Sequence, residues 1–143
     1  MSLLSSGLPS SVASTEELAR YLKSSSLYNS KGVKHSAFMP YPGDNATSVF
    51  RQGAVPNDEL WALGLREAVG ERTLYGAAIV RALDILDAGL VVSSDEPPMK
   101  HAVVVGWPIQ PTDKDLEKAR HKEIALKIAS RAVLVLRAQT KHE

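Results

Sequence analysis

The clearest apolar block in the chain is Ala102-Val103-Val104-Val105, entered through Lys100-His101 and stopped by Gly106-Trp107-Pro108. Three consecutive valines favour a strand, because β-branched side chains are stiff at χ1 and pack well on a pleated surface. Apolar on both faces, this strand is expected to be central and buried. Leu90-Val91-Val92 reads as a second strand, and the polar and proline residues from Ser93 to Pro98 make the pair antiparallel neighbours joined by a loose loop. Thr47-Ser48-Val49-Phe50-Arg51 reads as a third, with Val49 and Phe50 on opposite faces.

Helical periodicity is expected elsewhere. Ser14-Thr15-Glu16-Glu17 has the form of a capping box, and Leu18 and Leu22 follow four residues apart, predicting a helix from Ser14 to about Lys23. Pro56-Asn57-Asp58-Glu59 opens a helix with Trp61, Leu65 and Ala68 along one side, stopping at Gly70. Tyr75, Ile79, Leu83 and Leu86 predict another from about Thr73, closed by Gly89 in a left-handed C′ position. Thr112-Asp113-Lys114-Asp115 caps a long final helix whose stripe runs Leu116, Ala119, Ala125, Ile128, Ala129, Ala132 and Leu136. Residues 132–137 also suit an edge strand, but the alanine spacing favours helix to about Arg137. The expected fold is α+β: a small three- or four-stranded, mainly antiparallel sheet with three to four helices packed on it. Residues 1–13 form a flexible arm and 14–143 a single domain.

Composition narrows the function classes. A chain of 143 residues suits one domain with an adequate core. Its lack of cysteine removes disulfide frameworks, thiolate zinc sites and cysteine nucleophiles. No basic leader and no membrane-length apolar run is present, which points to a soluble, cytoplasmic protein with no membrane partner. Seventeen basic against sixteen acidic side chains give no overall attraction to nucleic acid. Glycine-rich phosphate loops, serine elbows and metal-ligand spacings are missing, so no metal or cofactor is expected.

The candidate chemistry is therefore local. Lys34-His35-Ser36-Ala37-Phe38 and Lys100-His101-Ala102-Val103 each place a histidine at the head of an apolar run. Brought together by paired strands, the two would act as base and acid on a phosphodiester, a logic that resembles the two-histidine phosphoesterases. That family's pattern has a hydroxyl two positions after each histidine, where this chain has Ala37 and Val103. Arg51, ending its strand, offers a planar fork to a carboxylate or phosphate, or pairs with the Asp95-Glu96 loop. His101, His35 and Arg51 are thus the catalytic candidates for a small hydrolase or transferase acting on a phosphorylated or nucleotide substrate.

Trp107, Lys100, Tyr41 and Phe38 are binding candidates, around the long 28–46 loop and the end of the valine strand. Lys118, Arg120, Lys122 and Lys127 would carry weak nucleic-acid binding along the last helix, but interleaved acids and absent aromatics favour a solvated face. The reading placed first is a non-enzymatic binding or accessory module that engages a protein partner or self-associates.

Overall fold

The computed structural model describes residues 6–52, 54–68 and 73–137. Among these, eight strands and three α-helices follow one another along the chain: β1 (Glu17–Leu22), β2 (Tyr28–Asn29), β3 (Gly32–Val33), β4 (Thr47–Arg51), α1 (Asn57–Leu63), β5 (Gly76–Arg81), α2 (Ala82–Asp87), β6 (Val91–Ser94), β7 (His101–Val105), α3 (Lys114–Arg131) and β8 (Val133–Leu136). Six of the strands form one antiparallel sheet in the order β6-β7-β4-β1-β5-β8, and β2 and β3 pair separately. The architecture is α+β, but the sheet is twice the expected width at its narrowest estimate, and the expectation of three or four strands is overturned.

Two of the added strands share one cause. Leu18 and Leu22 lie four apart, as do Tyr75 and Ile79, and a separation of four keeps side chains on one face of a strand as well as of a helix. The residues between decide. In β1, Leu18 and Leu22 face one side while Ala19 and Tyr21 are equally buried on the other, and in β5 Ala78 and Val80 alternate with Ala77 in the same way. A chain apolar on both faces belongs inside a sheet. The Ser14–Glu16 segment does meet a helix N-terminus, but that of α2: the first-turn amides of Ala82 and Leu83 donate to the carbonyls of Glu16 (2.9 Å) and Ser14 (2.8 Å).

The third correction lies at the end of α3. Ala132 has extended backbone (φ −76°, ψ 143°), and the chain leaves the helix to pair β8 with β5. The two β-branched residues of Val133-Leu134-Val135-Leu136 favour this edge strand over the continued helix. Close approach needs Gly76, since a Cβ there would stand 2.4 Å from the Val135 carbonyl oxygen. Leu116 and Ala119 consequently lie on the exposed side of α3, whose buried stripe is His121, Ala125, Ile128 and Ala129.

The remaining elements fall close to expectation. β4 spans Thr47–Arg51 as read, β6 and β7 are antiparallel neighbours, and Gly89 has φ 90°. The valine strand is interior to the sheet, second from its edge, with Ala102 and Val104 buried and Val103 and Val105 half-buried. α1 starts at Asn57 and runs on through a π-helical turn at Gly64–Ala68; its buried residues are Leu60 and Leu63, while Leu65 is exposed. The stop expected at Gly70 lies outside the described residues.

The sheet has two unequal coats. On one face Leu18, Leu22, Val49, Ala78, Val80, Ala102 and Val104 meet α2, α3, Phe38 and Trp107 in the main core. On the other, Ala19, Tyr21, Phe50 and Ala77 meet Leu60, Leu63 and Leu74, with the Tyr21 hydroxyl donating to the Leu60 carbonyl at 2.7 Å. This second coat covers only part of its face, and beside it β4 and β7 present Ser48, His101 and Val103 to a cleft.

Candidate active site

The cleft originates in how β1 meets its neighbours. β1 pairs with β5 at all six of its positions, but with β4 only at Leu18↔Arg51 and Ala19↔Phe50. Beyond Ala19 the two strands diverge, and the side chain of Arg20 crosses the gap. Its Nε donates to the Ala37 carbonyl (2.7 Å) and its Nη1 to the Ser48 carbonyl (2.9 Å), replacing the missing ladder contacts. Burial lowers the Arg20 guanidinium to about 10, which still leaves it cationic at neutral pH. On the far side of β4, the Thr47 hydroxyl donates to the Phe38 carbonyl at 2.8 Å and fixes the loop that walls the opening.

The resulting cleft has a volume of about 790 Å³. Tyr21, Leu27, Met39, Ala46 and Val103 give it apolar walls, Arg20, Lys23 and His101 its basic groups, and Asp44 and Asp95 its acidic ones. A smaller recess of about 90 Å³ adjoins it through Arg20, Tyr21, Lys23, Ser48 and His101.

At the base of the cleft three side chains form a relay. Ser48 and His101 sit diagonally across the β4–β7 ladder, since Ser48 pairs with Val103 and His101 with Phe50. That places both on one face, and the Ser48 Oγ is hydrogen-bonded to His101 Nε2. His101 Nδ1 faces two oxygens of Asp95, the main-chain carbonyl at 2.9 Å and carboxylate Oδ2 at 3.2 Å. A nitrogen between two acceptors carries a proton, so in the neutral imidazole Nε2 is the acceptor and the Ser48 hydroxyl donates to it. Asp95 is itself held, its amide donating to the His101 carbonyl at 2.9 Å, and Phe50 packs edge-on to the imidazole with centroids 5.3 Å apart. A hydroxyl, an imidazole and a carboxylate thus stand in the order that nucleophilic catalysis uses.

The residues anticipated from sequence are dispersed. His101 lines the cleft and Tyr41 stands at its mouth, 70% exposed. His35 opens a 3₁₀ turn against α3 and is not among the residues lining the cleft; burial, and then Lys122 and Lys34, hold its imidazole below the usual 6.5. Arg51 is buried and committed. Its Nε and Nη2 clasp Glu16 at 2.6 and 2.9 Å, while Nη1 and Nη2 donate to the carbonyls of Pro9 (2.6 Å) and Ser11 (3.3 Å). The hydrogen bond to Glu16 raises its guanidinium further above the ordinary value. The three proposed catalytic residues therefore do not converge.

Phe38 and Trp107 are core residues rather than surface anchors, the Trp107 indole donating to the Val104 carbonyl at 3.2 Å and meeting His121 edge-on. The backbone of Lys100 is engaged at both ends, its amide donating to Glu96 Oε2 (2.6 Å) and its carbonyl accepting from Arg51 (2.8 Å). Lys118, Arg120 and Lys122 face solvent on α3, and Lys127 donates to the Asp87 carbonyl at 2.9 Å. Among the described residues no group of histidine and carboxylate side chains is placed to hold a metal ion, and no helix is long and apolar enough to cross a membrane.

Ser48, Asp95, Arg20 and Lys23 escaped the sequence reading. Two of them left a signal. Arg20 lies between Leu18 and Leu22 in a chain alternating with period two, so a strand reading puts an arginine on a core face, where it needs partners. Ser48 is a small hydroxyl in the same strand as Phe50 and two residues from it, so it shares that residue's face. Asp95 reads from sequence as a turn residue. No protein-family model, no curated protein and no solved structure matches the chain.

Proposed function

We propose that this protein is a binding module whose ligand, a small amphipathic anion, occupies the cleft between β1 and β4. The observation that supports this most directly is the divergence of those strands after Ala19, beside a cleft of about 790 Å³ with apolar walls, where Arg20 and Lys23 stand at the β1 side and Asp44 and Asp95 elsewhere on the lining. That volume lies in the range of small-molecule sites, and apolar lining with a few placed polar groups is their usual composition. Arg20 is held rigid by its two carbonyl partners, so it meets an acidic group without first being ordered. Lys23 adds a second positive charge, and Leu27, Met39 and Val103 accept an apolar body.

Octanoate has both parts and is the probe of choice. Added at millimolar concentration to ¹⁵N-labelled protein, it shifts the amide resonances of Lys23, Met39 and Val103 saturably. Ala46→Trp, whose indole fills the cleft, abolishes those shifts while keeping the melting temperature close to wild type. Shifts that scatter over the surface, or that persist in Ala46→Trp, would show that the ligand lies elsewhere.

A further inference from the structure

We propose that Ser48, His101 and Asp95 form a nucleophilic relay that hydrolyses carboxylic esters of apolar acids in this cleft. The inference rests on the reading of the cleft as the ligand site, and names the chemistry done there. Three observations join. The His101 imidazole is oriented through Nδ1 by the main-chain carbonyl and carboxylate Oδ2 of Asp95, so that Nε2 faces Ser48 and, in the neutral ring, can take its proton. All three residues line the large cleft, where the Ser48 hydroxyl is reachable by substrate, unlike a serine–histidine contact sealed in a core. Arg20, whose Nη1 donates to the main-chain carbonyl of Ser48, lines the same cleft and puts a positive charge in the site that an anionic intermediate would occupy.

The reaction closes on these groups and water. Ser48 Oγ bonds to the acyl carbon as its proton passes to His101 Nε2. The bond from that carbon to the leaving oxygen breaks, and the alcohol departs with the proton from Nε2, leaving the acyl group on Ser48. Water then adds to the same carbon, giving a proton to Nε2, and the bond to Ser48 breaks as Oγ recovers it. The products are the alcohol and the free acid, whose carboxylate is the kind of anion that Arg20 and Lys23 would hold. Leu27, Met39 and Val103 favour an apolar acyl chain over a charged one.

The test uses the full chain with p-nitrophenyl esters from acetate to octanoate, and a fluorophosphonate to mark the nucleophile. Wild type turns over the esters, and the fluorophosphonate adds to the peptide containing Ser48. His101→Asn loses about 10²–10⁴-fold in kcat, and Ser48→Ala, which removes the nucleophile, loses at least as much. Asp95 is a positioning residue: Asp95→Asn lowers kcat by a smaller factor with KM unchanged, because the main-chain carbonyl still holds Nδ1. A merely structural role would move KM and melting temperature instead.

Octanoate binding separates the two proposals. If octanoate binds the cleft of wild type and Ser48→Ala alike but no ester is hydrolysed and no label reaches Ser48, the relay is refuted and the binding site stands. Turnover that survives Ser48→Ala and His101→Asn also overturns it. Should Ser48→Ala fail to fold, the labelling of wild type decides alone.

Discussion

Glu16→Gln is the sharpest test of how this fold is held. The Arg51 side chain is 1% exposed and that of Glu16 is 18% exposed, and the guanidinium makes four contacts: two to the carboxylate at 2.6 and 2.9 Å, and two to the carbonyls of Pro9 and Ser11 at 2.6 and 3.3 Å. Gln keeps the volume and one acceptor, but it removes the negative charge and turns an amide NH₂ toward a buried cation. Losing one partner of a buried pair costs about 3–5 kcal/mol, mostly the penalty of the orphaned charge. Against a total stability of about 5–15 kcal/mol this is a large fraction. Urea unfolding followed by circular dichroism, with a slope of about 2 kcal/mol/M, should show the midpoint fall by about 2 M. Salt should change the loss little, because the pair is shielded from solvent. Glu16→Met with Arg51→Met should lose less, about 1–2 kcal/mol, the cost of two carbonyls deprived of this donor. A Glu16→Gln protein within 1 kcal/mol of wild type would refute the argument that Arg51 depends on its partner.

Two further outcomes are expected. Gly76→Ala drives a methyl group to 2.4 Å from the Val135 carbonyl oxygen, so β8 should separate from β5 at a cost of about 1–3 kcal/mol, seen as faster amide exchange in Val133–Leu136 with β1 and β4 unaffected. His35, whose imidazole burial holds below 6.5, should make stability decline as pH falls through 6.5, since the unfolded chain binds the proton more readily; His35→Asn should flatten that part of the profile in urea midpoints between neutral pH and about pH 5, and an unchanged slope would contradict it.

Sequence reasoning was most reliable where one physical signal had one meaning. β-branched runs bounded by breakers located β4, β6 and β7, and acidic residues after Pro56 located α1, because neither pattern suits another element. It failed where a spacing was shared. Leu18 and Leu22 satisfy both periods, and only the burial of Ala19 and Tyr21 between them separates strand from helix. The site was harder to read for a different reason. His101 stood out beside its valines, but Ser48 and Asp95 lie 53 and 6 residues from it along the chain, and their meeting is fixed by the β4–β7 register and the β6–β7 connection. Arg51 shows the opposite error. An arginine at a strand end resembles an anion clamp, and here its fork is filled from within the chain by Glu16.

The side chain of Arg20 gives the sheet a seam. β6, β7 and β4 make one three-stranded leaf, β1, β5 and β8 another, and within each leaf neighbours pair at four or more positions. The leaves are stitched by two residue pairs, the Arg20 guanidinium, the Tyr21–Phe50 ring contact and the Arg51–Glu16 ion pair. Backbone pairing is thinnest along this line, so native-state amide exchange should be faster there than within either leaf. Ser48, His101 and Asp95 lie on one side of this line, Arg20 and Lys23 on the other. Substitutions along the seam should therefore alter the cleft while leaving the Ser48–His101–Asp95 contacts, which lie within one leaf, intact.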